Sequence, residues 1–62
     1  MSTLRILIVE DEMMVEMFLK DMLVDLGHEI VASKRSFNEG LEVAQSAQFD
    51  FAILDVNSLL SG

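Results

Sequence analysis

A chain of 62 residues with eleven acids, four bases and a net charge of −7 allows one small domain, and it disfavours binding to nucleic acid phosphates or anionic lipid. Its 52% hydrophobic content comes without cysteine, so no disulfide or Cys-ligated metal can staple the fold, and association becomes a source of extra burial. No apolar run reaches membrane-spanning length and the N-terminus lacks a signal-peptide pattern, which predicts a cytoplasmic protein with no membrane partner.

The first element is Leu4 to Glu12, LRILIVEDE, with five aliphatic residues among its first six followed by three carboxylates. A short run rich in Ile and Val predicts a strand buried on both faces, as inside a parallel sheet, with Arg5 its one polar interruption. Glu10 and Asp11 then fall at the carboxyl edge of that sheet, where ligands bind in α/β folds. Glu12 is read as a first-turn acid that favours the helix dipole without a ligand.

From Glu12 to Leu26 the spacing predicts a helix whose core row is Val15, Phe18, Leu19, Met22, Leu23 and Leu26, with Gly27 as its stop. A second apolar stripe, Met13, Met17 and Val24, lies roughly opposite, and is either a contact surface or tolerated exposure. His28 to Ser33 predicts a second strand, with Lys34 and Arg35 as the polar connection after it. His28, the only histidine, has no second His or Cys near it and reads as a solvated loop residue. Ser36 with Glu39 fits a capping box opening a second helix, with Phe37, Leu41, Ala44 and Ala47 on one face. Gly40 there signals either close packing or simple tolerance. Phe49 to Val56 predicts a third strand with Phe51 to Leu54 at its core, ending at Asp55.

Strand, helix, strand, helix, strand with right-handed crossovers makes all three strands parallel, in spatial order 2-1-3. The carboxyl ends of the first and third strands are then neighbours, which gathers Glu10, Asp11 and Asp55. Three such carboxylates repel, so they need raised pKa values or a cation, and an all-oxygen set suits Mg²⁺, held weakly.

The runs ILIVEDE at 6–12 and FAILDVN at 51–57, with LGHEIV between them, resemble the first half of a bacterial two-component response-regulator receiver domain. The resemblance covers essentially the whole chain, 1–62, and implies an α/β flavodoxin-like fold in truncated, doubly wound β-α-β-α-β form. It implies that Glu10 and Asp11 bind Mg²⁺, that Asp55 is the phosphoacceptor, and that Asn57 gives the metal its backbone carbonyl. The implied donor is a histidine kinase or phosphotransfer protein, and the chain is an acceptor rather than an enzyme. The hydroxyl residue of the family's fourth strand and the lysine of its fifth have no counterpart here, and the usual proline beyond the phosphoacceptor is missing. Three readings stay open: a truncated receiver that accepts phosphate, a non-catalytic interaction or dimerisation module, and a fragment of a full receiver. The open edge of the third strand predicts a homodimer, with helix exchange as the competing arrangement. The Met13, Met17 and Val24 stripe predicts a contact with another copy or a helical partner.

Overall fold

The computed structural model describes residues 3–55. Its centre is β1 (Arg5–Glu10), whose residues Ile6, Leu7, Ile8 and Val9 are the buried apolar core. Burial on both faces is what a run without alternation requires, and a helix packed on each face provides it. β2 (Glu29–Lys34) and β3 (Phe51–Asp55) pair with β1 in parallel on either side, giving the order β2-β1-β3 that the sequence predicts. The truncated flavodoxin-like α/β arrangement holds.

α1 (Met13–Asp25) and α2 (Phe37–Ser46) are the two crossover helices. Side chains alternate across a strand, so Ile6 and Ile8 point to one face of the sheet, Leu7 and Val9 to the other. α1 lies on the Ile8 face, tied there by Ser33 Oγ donating to Glu16 Oε2, since Ser33 is the register partner of Ile8. α2 lies on the Val9 face, where Gly40 is buried directly over Val9. A Cβ at position 40 would overlap Cγ2 of Val9, so close packing, not tolerance, explains that glycine.

The phase of α1 differs from the sequence expectation. Its half-buried residues are Glu16, Leu19, Lys20 and Leu23, while Val15, Phe18, Met22 and Leu26 are exposed, Phe18 at 69%. Glu16 turns inward because Ser33 offers it a hydrogen bond, and that polar anchor rotates the apolar pattern away from the sheet. Met13, Met17 and Val24 are exposed as well, so apolar surface wraps most of this helix. The helix closes as the sequence implies. Gly27 adopts φ 94, its N–H bonds to Val24 O at 2.9 Å, and His28 N–H bonds to Leu23 O at 3.0 Å, a Schellman motif.

The strand limits also shift. β2 runs one residue later than expected, so Lys34 belongs to the strand, and the register slips between Ile6, facing Ile30, and Leu7, facing Ala32. β3 is shorter at its start, and Val56 lies outside the described residues. His28 is half-buried rather than solvated: its Nδ1 accepts from Leu4 N at 3.1 Å, clasping the residue before β1. Ser36 Oγ accepts from Glu39 N at 3.2 Å as a capping box demands, while Glu39 Oε1 accepts from Arg35 N instead of Ser36 N. No helix among the described residues is long and apolar enough to cross a membrane.

Candidate functional site

The parallel register of β1 and β3 pairs Glu10 with Asp55 at the carboxyl edge of the sheet. Both belong to the face that α1 covers, because each lies an even number of residues from Ile8 or its partner Ile53. Glu10 ends the central strand and is only 2% exposed, whereas Asp55 ends an outer strand and is exposed. Asp11 sits in the turn before α1 and is exposed too. Asn57 lies outside the described residues.

A buried carboxylate needs partners for both oxygens. Glu10 Oε1 accepts from the backbone N–H of Glu12 at 3.0 Å. Glu12 is the N-cap of α1 and makes no side-chain cap, so its contribution here is that N–H and not its acid group. Glu10 Oε2 is buried and has no hydrogen-bond partner among the described residues. The Glu12 N–H pulls the Glu10 pKa down; burial and the neighbouring carboxyls of Asp55 and Asp11 outweigh it, so the pKa lies above the usual 4.5.

As placed, no three His, Cys, Asp or Glu side chains among the described residues gather closely enough to hold a metal ion. The donor chemistry nonetheless fits a hard divalent cation: a buried oxygen without a partner belongs to the residue that pairs in register with Asp55, and a third acid follows one residue on. Closing a ligand set requires the exposed Asp11 and Asp55 side chains to turn toward Glu10 Oε2.

Lys34 does not belong to this acidic edge. It is the register partner of Val9, so it belongs to the α2 face, opposite Glu10 and Asp55. At the other end of the sheet a joint appears that the sequence reading missed. Arg5 N donates to Asp50 Oδ2 at 2.8 Å, its guanidinium reaches both Asp50 oxygens at 3.3 Å and Gln48 Oε1 at 3.2 Å, and Asp50 N returns a bond to Arg5 O at 2.7 Å. These bonds set the starting register of β1 and β3, and hence the meeting of Glu10 with Asp55 five residues on. The signal was present as one arginine in an apolar strand and one aspartate just before another. Compared with family models, curated proteins and solved structures, the chain has no significant match.

Proposed function

We propose that the chain is a receiver-like phosphoacceptor module of a two-component phosphorelay, with Asp55 receiving the phosphoryl group and Glu10, Asp11 and Asp55 forming a weak Mg²⁺ edge. The observation that carries this reading is the register pairing of Glu10 with Asp55, combined with a Glu10 oxygen that is buried and unpartnered. A buried orphan carboxylate oxygen beside a second acid calls for a cation or a proton.

Each residue has a separate task. Asp55, exposed at a strand end, is open to a donor. One of its carboxylate oxygens bonds to phosphorus as the P–N bond of a phosphohistidine or phosphoramidate breaks, and the leaving nitrogen keeps the electron pair and takes up a proton. Glu10, with one oxygen fixed by the Glu12 N–H, keeps its other oxygen unpartnered at the strand end that pairs with Asp55. A bound divalent ion would supply charge neutralisation for the equatorial phosphoryl oxygens. Positioning and electrostatics carry most of such catalysis, so the sheet's register is the main contribution of this chain.

Intact-mass measurement after phosphoramidate treatment in millimolar Mg²⁺ tests the reading. One phosphoryl adduct is expected on the unmodified chain and none on Asp55→Asn. An adduct that persists in the Asn variant removes Asp55 from the role, and no adduct on either chain leaves the second reading, a non-catalytic interaction module. The extent of exposed apolar surface on α1 and β3 favours that second reading.

A further inference from the structure

β3 is the least covered element of the sheet. Both helices pack over β1 and β2, and neither makes more than marginal contact with β3. Phe51 on the α1 face is 54% exposed and Leu54 on the α2 face 58%. Among the described residues no strand lies along the outer edge of β3, which leaves a row of backbone N–H and C=O groups as a template for another strand.

We propose that this edge is occupied by a second copy of the chain, β3 antiparallel to β3, about a twofold axis through Ile53. The strand's five residues then pair with Ile53 facing itself, Ala52 facing the partner's Leu54, and Phe51 facing the partner's Asp55. A twofold axis normal to the sheet keeps each face continuous, giving six strands with helices on both sides.

Two features select a second copy over an unrelated peptide. The first is shape. On the α2 face an apolar cleft of about 240 Å³ opens between the sheet and the helix, lined by Val9, Leu41, Ala44, Ala52 and Leu54 among others. Pairing sets the exposed Leu54 of each copy beside the small Ala52 of the other, and the two clefts become one enclosed core.

The second feature is charge. Antiparallel pairing brings the acidic carboxyl edge of one copy, with Glu10, Asp11 and Asp55, alongside the amino edge of the other, where Asp50 is already paired with Arg5. The two Asp55 carboxylates are kept about 13 Å apart along the strand at ~3.3 Å per residue, beyond the ~8 Å Debye length of physiological salt. A parallel joint would set them side by side.

The chain contains no native cysteine, so single cysteines report the geometry cleanly. Ile53→Cys should cross-link into a disulfide dimer under mild oxidation, because directly paired Cα atoms lie ~4.5–5.5 Å apart, within the ~4.4–6.8 Å that a disulfide spans. Phe51→Cys, about 13 Å along the strand from its copy, should not. Should Ile53→Cys fail to fold, Ala52→Cys mixed with Leu54→Cys keeps the test, the mixed pair linking faster than either with itself. Light scattering after gel filtration should give twice the monomer mass for the unmodified chain. Leu54→Lys, at a position already more than half exposed, should give the monomer mass with unchanged helical circular dichroism. A monomer mass for the unmodified chain at every concentration, or Phe51→Cys linking as fast as Ile53→Cys, overturns the proposal.

Discussion

At the scale of single residues, three positions set measurable expectations. Gly40→Ala gains about 1 kcal/mol of helix propensity but forces a methyl into Val9, and overpacking of this kind costs about 1–3 kcal/mol. The variant should therefore be less stable, and pairing it with Val9→Ala should recover part of the loss, a coupling that a double-mutant cycle on thermal or urea unfolding reads directly. Glu10 and Asp50 act in opposite senses on the pH dependence. Asp50, held below its usual 3.8 chiefly by the Arg5 side-chain hydrogen bond, contributes stability that is present above 3.8 and lost as pH falls through its folded value. Glu10, raised above 4.5, favours the fold below 4.5, and that contribution is lost as pH rises through its folded value. Asp50→Asn should thus flatten the acid limb of a melting-temperature profile. Glu10→Gln should raise the melting temperature at neutral pH in metal-free buffer, since the amide keeps the bond from Glu12 and can donate to Asp55. A fall at neutral pH instead would mean that the buried charge is already satisfied.

At the scale of elements, the strand order was legible because it depends on robust signals: a both-sided apolar run in Ile6 to Val9, two turn-bounded helices and right-handed crossovers. The phase of α1 was not legible. Met13, Met14, Met17, Phe18 and Met22 spread around the helix, so no single period decides, and the deciding interaction is polar, Glu16 with Ser33 across 17 residues. The acids of the site could be read from their places at strand ends, but the anchoring of Glu10 by a backbone N–H of the following turn depends on local geometry that residue types do not encode. The helix ends allow a sharper expectation. Ser36→Ala removes the oxygen that accepts from Glu39 N and should cost about 1 kcal/mol, while Leu23→Ala, half-buried, should cost less than the 2–5 kcal/mol of a fully buried leucine. Met14→Gln, at a position 82% exposed, should stay within about 0.5 kcal/mol. Urea unfolding of the three variants tests both the cap and the corrected phase. A Met14→Gln loss larger than that of Leu23→Ala would mean that α1 turns a different face to the sheet.

At the scale of the molecule, eleven acids face four bases, and among the described residues Arg5 is already engaged with Asp50 and Lys20 with Glu16 at 4.0 Å. Self-repulsion of this excess is relieved by any salt, so sodium and magnesium chlorides at matched ionic strength should both raise the melting temperature through screening. A site adds something that screening does not. An ion that binds only the folded chain contributes about 1.4 kcal/mol at ten times its dissociation constant, which for a domain of this size is a shift on the order of 6–11 °C. Magnesium should therefore stabilise beyond sodium, and the excess should vanish in Glu10→Gln, which no longer supplies a charged oxygen at the buried position. Asp11→Asn and Asp55→Asn should each reduce it, because the ligand set closes only when their exposed side chains turn inward. Identical melting curves in the two salts for the unmodified chain would leave screening as the whole effect and sink the metal edge, while leaving the β3 joint untouched.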